Sequence, residues 1–183
     1  MKILYLSNSI IPSINANSIH ALKMCDIISQ YYKELTLICL SEKLNINIEQ
    51  IKQNYNLRNN FQIINRKKYS NRFGVILYYL FIFLHILKNN YDFYYCRHPF
   101  FLILLFFFRK NHILELHDLR IFNNKIYFFI FKYLLSLQKL KKIIVISDQL
   151  KLDFKKLYPN ISKKIFTVHD AASKFELNIN LKK

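Results

Sequence analysis

Residues 141–168 read KKIIVISDQLKLDFKKLYPNISKKIFTV. The apolar, β-branched run 142–146 predicts a buried strand, and Ser147 follows it as a candidate N-cap of a helix over 149–157. A second short apolar run, 164–168, predicts another strand. The segment is therefore a strand–helix–strand unit, which is the building block of a parallel α/β sheet.

The same alternation of short apolar runs and longer helical patterns continues along the whole chain. It predicts an α/β fold with a single Rossmann-like, doubly wound parallel sheet of about seven strands. Besides the two strands above, the predicted strands are 2–7, 34–40, 61–65, 92–96 and 112–116. The remaining predicted helices are 19–32, 75–88, 100–108 and 124–138, and the Asn-rich stretch 41–60 is polar with a weakly helical centre. No repeat or linker divides the chain, so one domain is expected over 1–173, followed by a tail, 174–183.

The composition excludes several classes of protein. A hydrophobic fraction of 52% over 183 residues supports a substantial core and excludes a disordered polycation. The single glycine, Gly74, excludes both GxGxxG and GxxxxGK[ST], because neither phosphate-binding loop can be written with one glycine.

The charge has two explanations that the sequence leaves open. The chain carries 28 Lys and Arg against 11 Asp and Glu, a formal net charge of +17. Abundant Ile, Asn, Lys, Phe and Tyr are also what AT-rich codons encode, so the excess reflects either genome composition or a polyanionic partner. No recognised nucleic-acid-binding motif accompanies the charge, and a nucleic-acid partner is not expected.

Cysteine usage and hydropathy bear on the cellular location. Cys25, Cys39 and Cys96 share no close spacing, which predicts small core residues in a reducing compartment rather than disulfides or metal ligands. The N-terminus lacks the long apolar region of a signal peptide. The longest uncharged stretch, 73–87, is shorter than the ~18–20 residues of a membrane-spanning helix and predicts a buried helix. A cytoplasmic location is therefore expected.

Polar residues at the strand ends form the candidate site. In open parallel sheets, ligands bind outside the carboxyl ends of the strands. The residues that follow predicted strands are the loop 7–18, Arg97 with His98, His117 with Asp118, Ser147, and His169 with Asp170.

Four segments resemble, in order and spacing, the N-terminal half of a family 4 type glycosyltransferase with the GT-B fold. They are MKILYLSNSIIPSINANSIHALKMCDIIS (1–29), YDFYYCRHPFFLILL (91–105), ILELHDL (113–119) and KKIIVISDQLKLDFKKLYPNISKKIFTVHDAAS (141–173). Together they extend over nearly the whole chain.

The resemblance implies the retaining transfer of a sugar from a nucleotide-sugar to a glycan or lipid-linked acceptor, as in cell-envelope polysaccharide synthesis. It implies no metal and no other cofactor, because the nucleotide-sugar is a substrate. The acceptor site would lie in this half, and a second Rossmann-like domain would bind the donor beyond a hinge near residue 174. The resemblance therefore predicts a domain that is incomplete alone: either a truncated product, or a chain that pairs with a separately encoded donor-binding domain protein.

The resemblance also assigns residues after the fourth and fifth strands. His117 matches a strand-end histidine that faces the transferred sugar, and it is the implied catalytic residue. Arg97 matches an arginine suited to a phosphate or carboxylate, and Asp118 would orient the loop or His117. Two other interpretations stay open: a loop histidine at 117 capped by Asp118, and an ion pair of Arg97 with Glu115 or Asp118.

The start of the first helix holds three further candidate substrate-binding residues. Asn17 and Ser18 stand where the family has a glycine pair, at a helix N-terminus whose N–H groups approach the donor diphosphate. Either residue is also a candidate helix cap. His20, one turn into the helix, is a candidate for facing the cleft, and a surface histidine is the alternative.

A run of cations precedes the most apolar predicted helix, and we call it the basic cluster: Arg66, Lys67, Lys68 and Arg72. With Tyr69 and Phe73 beside it, it suits an anionic membrane surface, such as the inner face of the cytoplasmic membrane. A solvated turn is the alternative. Three functions thus remain open: the acceptor-side half of a glycosyltransferase, a non-catalytic binding module, and a peripheral membrane protein without sugar chemistry.

Overall fold

A computed structural model describes residues 1–43, 47–68 and 71–169. Seven strands form one all-parallel sheet flanked by helices, which confirms the predicted Rossmann-like α/β class. The described chain divides into two compact units, 1–91 and 92–169, and each is described by itself.

The first unit contains three parallel strands in the order β3-β2-β1. These are β1 (Lys2–Ile10), β2 (Glu34–Ser41) and β3 (Gln62–Lys67), and the helices are α1 (Ala16–Tyr31), α2 (Ile48–Asn54) and α3 (Arg72–Lys88). Consecutive residues of β1 and β2 are buried, since both faces of a parallel sheet are covered, and their sequences are therefore continuously apolar rather than alternating.

Strand β1 is longer than the sequence predicted. It continues through the polar residues Asn8 and Ser9 to Ile10, and its register with β2 shifts between Leu6 and Ile10. The reason is the burial of Ile11, which is fully buried and donates its N–H to the carbonyl of Leu40 at 2.8 Å. Burial of this apolar side chain outweighs the loop preference of the two polar residues before it.

Helix α3 has two apolar faces, and only one of them is buried. Gly74, Tyr78, Ile82 and Ile86 face the core at a spacing of four residues. The opposite side, which we call the outer α3 face, exposes large apolar side chains: Phe73 (64%), Ile76 (62%), Leu77 (38%), Leu80 (48%), Leu84 (45%) and Leu87 (60%). The prediction of a buried helix is therefore wrong for this side, because packing against one layer covers only one stripe of a helix. Within the described ranges, no helix has the length and apolarity needed to cross a membrane.

The second unit contains four parallel strands in the order β4-β5-β6-β7. They are β4 (Phe93–Cys96), β5 (Asn111–Leu116), β6 (Leu140–Val145) and β7 (Ile165–Thr167), and the helices are α4 (Phe101–Phe108), α5 (Lys125–Ser136) and α6 (Asp148–Leu157). An aromatic cluster around Phe122 fills the core, with the rings of Phe131, Phe154 and Tyr158 centred 5.5, 5.3 and 5.6 Å from it. The predicted N-cap is confirmed, since the Ser147 side chain accepts from the N–H of Leu150 at 3.2 Å. All three cysteines are buried thiols.

Helix α4 ends in a left-handed residue that is not glycine. Arg109 has a φ of 49° at the C-cap, a position where glycine is common. We expect Arg109→Gly to raise the free energy of unfolding by about 0.5–1 kcal/mol, because glycine removes the Cβ clash of this conformation. Urea denaturation measures this gain. Asn56, with a φ of 48°, is the control, because asparagine tolerates the conformation and Asn56→Gly should gain less. Equal gains at both positions would contradict the explanation.

Two histidines in the second unit, one buried and one half-buried, favour the neutral form of their rings. His112 is 2% exposed and its Nδ1 contacts the carbonyl of Lys110 at 2.8 Å. Burial lowers the pKa of His112, with Lys164 and Lys141 acting in the same direction and the Lys110 carbonyl opposing them. Burial likewise lowers the pKa of His98, and Asp118 partly opposes this effect.

These histidines should make the fold sensitive to mild acid. As the pH falls below about 6.5, the unfolded chain binds protons before the folded chain does, so stability is lost in that direction. The expected slope is up to about 1.4 kcal/mol per pH unit for each histidine. Urea denaturation at pH values on both sides of 6.5 measures the slope, and His112→Gln should flatten it. Equal stability across this range would contradict the assignment.

Candidate functional site

The carboxyl ends of β4 and β5 bring together four polar side chains, which we call the carboxyl-edge cluster: Tyr95, Arg97, Glu115 and His117. Tyr95 pairs in register with Ile113, and side chains alternate between the faces of a strand. Tyr95, Arg97, Glu115 and His117 therefore project from the same face of the two neighbouring strands. In each strand the two residues are separated by one position, as 95–97 (YCR) and 115–117 (ELH), which puts both side chains on one face.

A buried carboxylate is the centre of the cluster. Glu115 is 2% exposed, and its Oε2 accepts a hydrogen bond from the hydroxyl of Tyr95 at 2.6 Å. Its Oε1 accepts from Nε of Arg97 at 3.0 Å, and the Arg97 side chain is itself only 5% exposed. The cation and the two donors compensate the loss of water around the carboxylate.

His117 lies on the solvent side of the carboxyl-edge cluster. Its Nε2 lies 2.7 Å from a terminal nitrogen of Arg97 and also contacts Oε1 of Glu115. A guanidinium only donates and an ionised carboxylate only accepts, so Nε2 can hydrogen-bond to only one of them at a time. The protonation state of Nε2 therefore selects its partner. The side chain of His117 is 24% exposed, so a ligand can reach it.

Glu115 therefore takes the place that the sequence gave to Asp118. Asp118 lies at the surface, where its Oδ2 accepts from a terminal nitrogen of Arg120 at 2.8 Å and its Oδ1 from the Arg120 N–H at 3.0 Å. These hydrogen bonds lower the pKa of Asp118. The carboxylate at Nε2 of His117 is that of Glu115, and the ion pair of Arg97 with Glu115 is confirmed. In the sequence, the indication of this role is that Glu115 is the single ionisable residue within the apolar run ILEL, 113–116.

The candidates on the first helix lie in the first unit. Helix α1 begins at Ala16, so Asn17 and Ser18 lie inside its first turn and the prediction that either one caps it is wrong. Ser18 is 1% exposed and its hydroxyl donates to the carbonyl of Ile10 at 2.7 Å, which explains why it does not serve as a cap. Asn17 is exposed, and His20 is half-buried rather than a surface histidine.

The basic cluster also lies in the first unit, between β3 and α3. Arg66 lies over the ring of Phe81, 3.8 Å from its centroid, while Lys67 and Lys68 are exposed. Arg72 is the first residue of α3 and lies next to the outer α3 face. Tyr69, the strand-end candidate Asp170, and the tail 174–183 lie outside the described residues. His169 lies 3.5 Å from Oδ2 of Asp148.

Comparison with known proteins places the fold. No protein-family model matches the chain, and no curated protein matches it. Among solved structures, Anabaena Alr3699/HepE in complex with UDP and glucose is similar with a TM-score of 0.58 at 14% identity. That match covers 92% of this chain and 44% of HepE.

Two further solved structures are similar. The lipopolysaccharide outer core galactosyltransferase WaaB, in its apo form, has a TM-score of 0.60 at 10% identity, and the match covers 96% of this chain and 47% of WaaB. UGT73P12 of Glycyrrhiza uralensis, complexed with glycyrrhetinic acid 3-O-monoglucuronide, has a TM-score of 0.54 at 9% identity, covering 91% of this chain and 48% of that one. The chain thus has the fold of half a GT-B glycosyltransferase and spans less than half the length of each of these proteins.

Proposed function

We propose that this chain is the acceptor-side half of a retaining glycosyltransferase of the family 4 type. It would transfer a sugar from a nucleotide-sugar to a glycan or lipid-linked acceptor, with no metal or other cofactor. The observation that carries the proposal is the carboxyl-edge cluster, because it lies at the strand ends where parallel α/β sheets bind ligands. The GT-B-like half fold supports it.

The contacts within the carboxyl-edge cluster suggest a different role for each of its residues. His117, with 24% of its side chain exposed, is the residue proposed to meet a hydroxyl of the transferred sugar. Arg97 and Tyr95 are committed to Glu115, so we assign them a positioning role rather than phosphate binding. Asn17, Ser18 and His20 stay proposed substrate-binding residues. The hydroxyl of Ser18 donates to the carbonyl of Ile10 and its N–H to the carbonyl of Asn15, so a substrate would have to displace one of these contacts.

A second Rossmann-like domain would supply the nucleotide-binding side of the active site, either further along the polypeptide or as a separate protein. We therefore propose that residues 1–173 form the acceptor-side domain. We also propose that the protein is located at the cytoplasmic side of the membrane. This arrangement fits a chain that matches 44–48% of the length of the similar structures.

A complementation assay tests this function. The chain is incubated with a panel of nucleotide-sugars and acceptors, with and without a candidate donor-binding domain taken from a neighbouring reading frame. Acceptor-dependent release of nucleoside diphosphate is expected only when both parts are present. The donor-binding domain alone is the control. Absence of transfer from every mixture would overturn the proposal.

A second candidate function, docking to an anionic membrane, rests on the surface of the first unit. The outer α3 face exposes an apolar stripe, and two members of the basic cluster lie at the same helix: Arg72 begins it and Arg66 lies over the ring of Phe81. Apolar side chains beside cations are the combination that binds the interface of an anionic bilayer. This function is compatible with sugar transfer to a lipid-linked acceptor.

Charge reversal at the basic cluster should weaken this docking. Because each lysine near an anionic surface contributes about 1 kcal/mol, Lys67→Glu with Lys68→Glu is expected to weaken binding by at least about 30-fold. Co-sedimentation with phosphatidylcholine vesicles that contain or lack phosphatidylglycerol measures it. Lys155→Glu with Lys156→Glu on α6 changes the net charge equally and should have a smaller effect. Equal losses in the two double variants would indicate only non-specific attraction.

A further inference from the structure

A polar cleft of about 460 Å³ lies at the amino ends of the strands of the first unit. Its walls come from the amino ends of β1, β2 and β3 and from the residues that follow α1 and α3. We call it the amino-edge cleft. Its volume is within the range of small-ligand sites in proteins. The proposed transfer site, in contrast, uses residues at the carboxyl ends of strands.

Carboxamide side chains are the commonest polar groups around the cleft. Asn60 and Gln62 line it from the start of β3, and Asn89 and Asn90 line it from the end of α3. All four are exposed, and Oδ1 of Asn60 also accepts a hydrogen bond from Nζ of Lys52 at 2.8 Å. A carboxamide offers both a carbonyl acceptor and N–H donors without carrying charge.

A hydrogen-bond network holds the polar groups of the cleft in defined orientations. The hydroxyl of Thr36 donates to Oε1 of Gln62 at 3.2 Å, which directs the NH₂ group of this amide away from Thr36. The hydroxyl of the buried Tyr91 lies 2.8 Å from Nε2 of His85, and Nδ2 of Asn89 donates to the carbonyl of His85 at 2.8 Å. Such preorganised groups lose little conformational entropy when a ligand binds.

The charges around the cleft favour a neutral ligand. Lys2 pairs with Glu34 at 3.1 Å, so these two charges offset each other. Lys33 adds a positive charge, but α1 and α3 both end at the cleft, and the C-terminal end of a helix carries partial negative charge. Burial and the nearby Arg66 lower the pKa of His85, so its ring is neutral at neutral pH. The partial negative charge at these two helix ends would repel a phosphate.

We propose that the amino-edge cleft binds a neutral polyhydroxyl ligand, namely a sugar unit of an oligosaccharide. Sugar hydroxyls donate and accept at once, and uncharged carboxamides match both roles. This binding goes beyond the proposed transfer reaction, because it needs neither a donor nucleotide nor the carboxyl-edge cluster. It gives the chain a second place to hold a glycan, at the amino ends of the strands of the first unit.

Side-chain amide NMR on the full chain tests this inference. The probes are glucose, galactose and maltotriose, with inorganic phosphate as the anionic probe. The NH₂ signals of Gln62, Asn89 and Asn90 are expected to shift saturably with at least one sugar, and not with phosphate. The variant Asn60→Ala with Gln62→Ala should weaken the sugar affinity at least tenfold. Gln53→Ala, an exposed glutamine on α2, is the matched control and should leave it unchanged.

Three results would overturn the inference: no saturable shift with any sugar, equal shifts with phosphate, or unchanged affinity in the double variant. The folding of that variant is checked by its backbone amide spectrum, and both substituted residues are exposed. The outcome is separate from the complementation assay, since sugar binding at this cleft does not depend on transfer.

Discussion

Glu115→Ala is expected to lower the free energy of unfolding by about 3–5 kcal/mol, because it leaves a buried cation without its partner. The Arg97 side chain is 5% exposed and its Nε donates to the lost carboxylate, as does the hydroxyl of Tyr95. A loss of this size is a large fraction of the roughly 5–15 kcal/mol that stabilises a typical domain. Urea denaturation measures it.

Two further variants show whether the loss comes from the uncompensated cation. Glu115→Leu with Arg97→Met removes both charges and should recover much of the stability, since apolar replacement of a buried pair is often neutral. Asp118→Ala, which breaks the exposed contacts with Arg120, should lower the free energy of unfolding by at most about 1 kcal/mol. If the double variant is no more stable than Glu115→Ala, the lost stability does not arise from the buried charge.

His117→Ala is expected to reduce the rate of sugar transfer by about 10²–10³-fold, the loss seen when one hydrogen bond to the reacting group is removed. Its stability should change much less than that of Glu115→Ala, because His117 is the partly exposed member of the carboxyl-edge cluster. The complementation assay measures the rate. His169→Ala is the control, since His169 is exposed and pairs with Asp148 outside the cluster. Equal transfer rates for His117→Ala and the unchanged chain would contradict the assignment of His117 to the active site.

The order of strands and helices could be predicted from the sequence because burial on both faces leaves continuous apolar runs between helical patterns. The errors have local causes. The prediction ended β1 at Ser7 because Asn8 and Ser9 resemble a loop, whereas the burial of Ile11 extends the strand. It also treated α3 as wholly buried, since hydropathy does not distinguish a core face from an exposed apolar face.

The sequence predicted the position of the candidate site and, as one of its alternatives, the ion pair of Arg97 with Glu115. Strand ends pointed to Arg97 and His117, and the structure brings these two side chains together. The sequence left the partner of Arg97 open between Glu115 and Asp118, and it did not predict the contacts of Glu115 with Tyr95 and His117. The register of β4 with β5 supplies that information, because it aligns Tyr95 and Arg97 on the face of Glu115. The cleft at the amino ends of the strands has no sequence motif, since its residues come from four separate segments.

A double-mutant cycle on the transfer rate tests most directly whether the carboxyl-edge cluster acts as one unit on the transferred sugar. Glu115→Gln keeps the shape of the side chain and removes its charge, and His117→Ala removes the ring that Glu115 contacts. If Glu115 acts through His117, the double variant should transfer sugar no more slowly than His117→Ala alone. A double variant whose loss equals the product of the two single losses would contradict the account.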